Sequence, residues 1–347
     1  MARHRHHRKR RGSRAPLVAF AIILLLLAGV AIVGMFVFRR EEEGGRQASA
    51  VEAPDYDNED KWSEGLVSYN GESYRYNKNI RTYLFLGIDT DEPVHKAVDG
   101  ISGGQSDALF LLVEDRDKDK LSIISINRNT MTNVSMYNRE GEYIDDRVLQ
   151  ICLQHGYGDG ERISCQHAAD CVENLFFGIP IHGYMSLNMG GIGLLNDALG
   201  GVEVTVLQSL DNAARGVHLV EGETKVLNGD EAYVYVRSRD TSEFDSASDR
   251  LRRQEQYLNV MIPQMLRKIR GASSAVSIYN KAEDYLYSNI DFARLADEMK
   301  DMEYDSSEGV YTIPGETVKG ERFEEYWPDE DGLYELILQI FYDKVDG

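Results

Sequence analysis

The sequence predicts an α/β fold, a sheet covered by helices on both faces, preceded by one transmembrane helix. Two observations carry this. Ala15 to Phe38 form an uncharged stretch of 24 residues behind a tail that reads RHRHHRKRRGSR. Such a run crosses a hydrocarbon core of about 30 Å as one helix, which satisfies its own backbone where lipid offers no partners. Beyond it, short β-forming runs alternate with segments of helical spacing, the pattern of a sheet with both faces covered.

Lys and Arg resist translocation, so the tail, residues 1–14, is expected on the cytoplasmic side. The span is 15–38, and everything after Arg40 is expected outside. A cleaved signal peptide would have an apolar region of about 7–15 residues closing on a small-residue site. The nearest such site, Ala48-Ser49-Ala50, lies beyond Arg39, Arg40 and three glutamates. The segment therefore reads as a retained anchor of a single-pass cell-membrane protein. Residues 39–72 read as an extracytoplasmic linker, charged and without apolar periodicity. Residues 73–347 form the outer domain.

Alternation in GESYRYNKNIRTYLFLGID marks the start of that domain, with Thr82 to Ile88 a central strand. Ala108 to Glu114 and Leu121 to Ile126 are two more strands, joined by the turn RDKDK. Helical spacing runs from Ile163 to Phe177 and stops before Gly178 and Pro180. His182 to Leu187 is a strand, Met189 to Leu199 a helix closed by Gly200-Gly201, and Val202 to Val206 another strand. Helices follow at Asn228 to Val236 and from about Ser248 to Ile269, the second open to bending at Pro263. Helices at 291–302 and 331–345 and a strand at Gly309 to Ile313 complete the pattern.

Charge excludes one class of function. Residues 1–40 hold nine Lys or Arg and no acid, leaving 29 basic against all 58 acidic residues beyond, a formal −29. A nucleic-acid-binding domain needs a basic surface to exchange counterions with phosphate; this one has the opposite sign. The basic tail sets topology and meets anionic lipid. Cys152, Cys165 and Cys171 fall within twenty positions, beside His155 and His167. A local disulfide, a zinc site and buried free thiols are all compatible with that spacing.

Three clusters place charge where elements end. Asp89 follows YLFLGI; Asp107 opens the strand ALFLLV, and Arg128 lies just past LSIISIN. Strand ends face the crevice where ligands bind in open sheets, although a carboxylate there also serves simple turns. The third cluster is VRSRDTSEFDSASDRLRRQEQ. Arg237 and Arg239 leave one helix, Asp245 and Asp249 sit before the next, and Arg250, Arg253 and Gln254 follow. Guanidiniums suit bidentate binding of phosphate oxygens; a solvated salt-bridge loop is the competing reading.

From Asn77 to Leu266 the chain resembles the LytR-CpsA-Psr family of bacterial cell-envelope proteins. The segment IPIHGYMSLNMGGIGLLNDALGGVEVTV is the most specific match. LNGDEAYVYVRSR followed by R-x-x-RQ resembles a second signature, and LFLGID, SDALFLL and NRNT complete the series in order. The resemblance implies an αβα sandwich with a central mixed β-sheet and a hydrophobic pocket for a polyprenyl chain. It also implies transfer of a glycopolymer, such as a teichoic acid or capsular polysaccharide, from a polyprenyl-pyrophosphate carrier to peptidoglycan. Carried over, Asp89 and Asp107 match magnesium-binding carboxylates, while Arg128, Arg237, Arg239 and Arg250 match arginines that hold the pyrophosphate. Gln105, Arg253 and Gln254 join that binding set. Arg128 and Arg239 are expected to act on the reacting phosphate, and either Asp245 or Asp249 to take a proton. Two positions depart from the family pattern: Gln105 stands where an arginine is usual, and Asn129 where an aspartate is. A non-catalytic polyprenyl-phosphate-binding or regulatory protein of the same fold, and a pyrophosphatase acting on the same lipid, are the alternative functions.

Overall fold

A computed structural model describes residues 66–345, apart from 241, 270, 271 and 300. The tail, the apolar span and residues 39–65 of the expected linker lie outside the described residues. Among those described, no helix is long and apolar enough to cross a membrane.

The domain begins earlier than the sequence pattern suggests. Strands β1 (Leu66–Tyr69) and β2 (Glu72–Tyr76) form a hairpin. Asn70 and Gly71 both take positive φ, at 51° and 77°, as a two-residue turn requires. Residues 66–72 therefore belong to the folded domain. β3 (Ile80–Ile88), β4 (Ser106–Asp115) and β5 (Lys120–Ile126) follow as an antiparallel meander. β6 (Met131–Tyr137) and β7 (Tyr143–Gln150) make a hairpin that no apolar pattern in the sequence marks. Helix α1 (Arg162–Leu175), β8 (Gly183–Asn188) and α2 (Ile192–Ala198) come next. A small β region holds β9 (Val202–Thr205), β10 (Leu210–Asn212), β11 (Val217–Leu219) and β12 (Thr224–Leu227).

α3 (Gly229–Arg237) starts at a capping box, in which Asn228 and Glu231 satisfy each other's backbone N–H groups. α4 (Ser246–Lys268) runs unbroken through Pro263. The chain continues with α5 (Ala272–Tyr279), β13 (Leu286–Ser288), α6 (Phe292–Met299), β14 (Glu303–Tyr304) and β15 (Tyr311–Thr312). A hairpin of β16 (Gly315–Lys319) and β17 (Glu324–Pro328) precedes α7 (Glu330–Phe341) and β18 (Tyr342–Val345). The helix expected over 331–345 thus stops at Phe341, and its last residues form a strand paired with β2.

The central sheet has the order β13-β8-β3-β4-β5-β14, with β15 also on β5. It is mixed: β8 runs parallel to β3, and β4 antiparallel to it. Side chains alternate across the pleat, so each strand feeds two cores. Leu84, Leu86, Leu109, Leu111, Ile124 and Ile126 pack beneath α1 and α7. Tyr83, Phe110, Leu112 and Ile123 face α4 and α6 on the other side. A third cluster joins β9, β12 and α3 to Tyr257 of α4. Helix, sheet, helix is the layering that alternation and family resemblance predict.

All three cysteines are buried free thiols. The disulfide alternative is thereby corrected, and no group of three or more His, Cys, Asp or Glu able to hold a metal occurs among the described residues.

Candidate active site

The site forms where β3 ends and β4 begins. The β3–β4 register shifts at Gly87 and Ile88. A Cβ on Gly87 would meet that of Ala108 at 3.0 Å, so glycine lets the two backbones stay close. The Asp89 amide then donates to the Gln105 carbonyl at 3.0 Å. This pairing brings the end carrying Asp89 beside the start of β4 carrying Asp107.

Asp107 is 8 % exposed and meets two guanidiniums. Arg250 donates from Nη1 to Oδ2 at 2.7 Å and from Nη2 to the Asp107 carbonyl at 3.3 Å. Arg128 Nε stands 2.9 Å from Oδ1, but without hydrogen-bond alignment, so this buried donor has no partner. Arg128 Nη2 donates to Gln105 Oε1 at 2.7 Å and approaches Cys152 Sγ at 3.1 Å. Burial pulls the Arg250 guanidinium below its ordinary pKa; Asp107 opposes the shift, while the nearby Arg128 and Arg239 add to it. Two cations about one buried anion leave positive charge in a poorly hydrated place, which favours a further anionic ligand.

Arg237, at the end of α3, reaches Asp89 Oδ1 at 3.3 Å, with both side chains nearly half exposed. Its Nε lies 3.1 Å from Met189 Sδ, and its guanidinium 5.6 Å from the Tyr233 ring centre. Tyr233 in turn donates to Asp91 at 2.6 Å, tying α3 to the loop after β3. Arg239 donates from Nε to Ser246 Oγ at 3.1 Å. Asp245 precedes α4 in the left-handed region, at φ 62°, and accepts from the Ser248 hydroxyl.

Four expected residues are placed otherwise. Asp249 pairs with Arg252 on the helix surface. Arg253 is 2 % exposed, and its donors go to the Tyr235 carbonyl at 2.8 Å, Gln208 Oε1 at 2.6 Å and the Ser238 carbonyl. It caps the end of α3 instead of facing the cluster. Gln254 donates to the Val236 carbonyl at 3.0 Å, leaving Oε1 buried and unpartnered. Gln105 turns its oxygen to Arg128, where it positions that guanidinium.

Beside the cluster opens a cavity of about 300 Å³ between the sheet and helices α4, α5 and α6. Phe85, Phe110, Leu112 and Ile123 form its floor, and Met185, Met189, Met261, Met265 and Met299 line it. Arg237 and Gln254 are its charged and amide groups. Unbranched methionines suit a surface that adapts to a flexible apolar occupant.

Glu324, on β17, was not singled out in the sequence. Its Oε1 accepts the Asp245 amide at 2.7 Å, and its Oε2 lies 3.8 Å from Arg239 Nη2. No spacing rule could flag a contact between positions 245 and 324.

A family model described as LytR_cpsA_psr family matches residues 44–335. Over 183 residues the chain is 35 % identical to the polyisoprenyl-teichoic acid–peptidoglycan teichoic acid transferase TagU of Halalkalibacterium halodurans, covering 52 % of each. The chain thus spans about half the length of that relative. Against the Enterococcus faecalis protein of the same name it is 25 % identical over 317 residues, 90 % of each chain. The fold is similar to that of B. subtilis TagV, with a TM-score of 0.56 at 23 % identity, over 76 % of this chain and 95 % of that one. A mixed sheet between two helical layers and a family match over most of the chain agree: the protein belongs to the LytR-CpsA-Psr family.

Proposed function

We propose that the chain is a glycopolymer–peptidoglycan transferase, taking a teichoic-acid-type polymer from a polyprenyl-pyrophosphate carrier. One observation carries the reading: the guanidiniums around Asp107 and Asp89 adjoin a methionine-lined cavity, whose wall includes Arg237 and Ala108, the neighbour of Asp107. A polyprenyl pyrophosphate has that division, an anionic head on an apolar tail. The names of the two transferase relatives support the same reaction class.

In this reading Arg128, Arg237, Arg239 and Arg250 hold the diphosphate oxygens and stabilise charge that grows during transfer. An acceptor hydroxyl of peptidoglycan attacks the phosphorus bearing the polymer. The bridging P–O bond breaks, polyprenyl phosphate leaves, and the product is a phosphodiester. Asp245 takes the hydroxyl proton, since Asp249 is paired outward with Arg252. Asp89 and Asp107 offer hard oxygen donors of the number magnesium takes when phosphate and water complete its shell. Bound there, the ion would supply further neutralisation of phosphate charge. The anchor at 15–38 places the domain at the outer leaflet, within reach of both lipid and wall.

The test uses the full chain in lipid vesicles with magnesium, a glycan-bearing polyprenyl pyrophosphate and a peptidoglycan oligomer. Linked product is expected, and Arg128→Ala abolishes it. Released phosphate without linkage would replace the reading with a hydrolase; bound but unaltered lipid would leave a binding protein.

A further inference from the structure

We propose that Glu324 is a positioning residue of this site, supplied by the β16–β17 hairpin, and that it holds the Arg239 guanidinium and the loop carrying Asp245 in their working places. The inference rests on the transferase reading for its kinetic consequences. Its structural half stands alone.

Three contacts seat the hairpin on the floor of the site, and a fourth bond fixes the residue that makes one of them. The Tyr326 amide donates to the Asn129 carbonyl at 2.9 Å, and Thr130 bridges to Tyr326 in parallel register. Gln150 Nε2 donates both to the Glu324 carbonyl at 2.7 Å and to Asn129 Oδ1 at 3.0 Å. The Glu324 backbone is therefore fixed before its side chain is considered.

That side chain is 13 % exposed and spans three elements. Oε1 accepts the Asp245 amide at 2.7 Å. Oε2 faces Asn129 Nδ2 at 3.4 Å and Arg239 Nη2 at 3.8 Å. Asp245 needs such a partner because it caps the start of α4 at positive φ, a conformation costly for a residue other than glycine. Arg239 needs one because its Nε donates to a neutral hydroxyl, that of Ser246, which balances no charge. Asn129 is an amide and offers no charge, so Glu324 is the carboxylate that balances Arg239 on this side. The C-terminal segment after Met302 thus completes the site and does more than cover the sheet.

The experiment moves the charge across the 3.4 Å contact. Glu324→Gln keeps the shape and an acceptor for the Asp245 amide while removing the charge. It is expected to lower kcat ten- to a hundredfold with KM within about threefold of the parent. Asn129→Asp alone sets two carboxylates side by side and lowers the rate, because like charges this close oppose each other. In the Glu324→Gln background the same change raises it, a reversal of sign that nonspecific damage to the fold would not produce. An unchanged kcat in Glu324→Gln, or Asn129→Asp acting with one sign in both backgrounds, overturns the proposal.

Hydrogen exchange supplies a second readout on the full chain. The Asp245 amide should exchange at least tenfold faster in Glu324→Ala, and less so in Glu324→Gln. Equal exchange in parent and Glu324→Ala would refute the hairpin's hold on the loop. Because exchange needs no substrate, a chain inactive on polyprenyl pyrophosphate would count against the transferase reading alone.

Discussion

The two faces of the central sheet are built from the same strands, yet one is closed and the other is open. Under α1 and α7, Leu84, Leu109, Leu111 and Ile124 are 0 % exposed and interlock with Val172, Phe176 and Phe341. Against α4 and α6, Phe85, Phe110 and Leu112 look into a cavity of about 300 Å³. The closed side is filled by branched aliphatics and aromatics of defined shape. On the open side, flexible methionines line space that the chain leaves to something else. Stability should reside mainly in the first and binding in the second.

The largest effect expected on this contrast is at its edge. Asp107→Ala should cut polymer linkage by about a thousandfold. It should also lower unfolding free energy by about 3–5 kcal/mol, since Arg250 would be left buried without its anion. Parallel linkage assays and denaturant titrations read both, and an active, equally stable variant would dissolve the site.

Truncation separates the faces. Leu111→Ala should cost about 2–5 kcal/mol, the range for a cavity made in a filled core. Met265→Ala, already bordering open space, should cost under about 1.5 kcal/mol, because fewer contacts are lost. Equal losses in urea melts would erase the distinction.

Acid should act on the closed side. His155 is fully buried, its Nδ1 3.1 Å from the Gly104 carbonyl, and burial lowers its pKa to about 4. The unfolded chain binds this proton near pH 6.5, the folded one only near 4. Stability is therefore complete above about 6.5 and lost as pH falls toward 4, by up to about 3 kcal/mol. Melts of His155→Gln should be flatter across that window; an identical acid limb would remove His155 as its source.

The smallest effect pairs two alanines that face the sheet from opposite layers, Ala296 on α6 and Ala169 on α1, 4 % and 3 % exposed. Ala296→Phe grows into the cavity and should weaken binding of a long-chain polyprenyl phosphate about tenfold at little cost in stability. Ala169→Phe should destabilise by about 1–3 kcal/mol through overpacking and leave lipid affinity alone.

Dense apolar strands were legible in the sequence because both faces of β3, β4 and β5 are buried, leaving near-continuous hydrophobic runs. β7 was not: six of its eight residues are exposed, and YIDDRVLQ carries no alternation to read. The β16–β17 hairpin escaped for a similar reason, since GETVK and EEYWP are short and charged. Within the site, Asp89, Asp107, Arg128, Arg237 and Arg239 stood out because they punctuate strand and helix ends. Helical spacing put Arg250 and Arg253 on one face, and that was sound. It could not say that one guanidinium would turn to Asp107 and the other to the carbonyls of α3. Glu324 was invisible because its meaning lies in a loop 79 positions away.

Arg253 has an effect on how loss of function would be interpreted. By clamping the carbonyls of Tyr235 and Ser238, it fixes the stretch of backbone from which Arg237 and Arg239 both project. A random screen for inactive variants would recover it next to Arg128, and a tally of defective colonies would rank the two alike. Only the first could be repaired by a second-site change that stiffens α3, so suppressor genetics would tell a scaffold from a ligand where a simple knockout cannot.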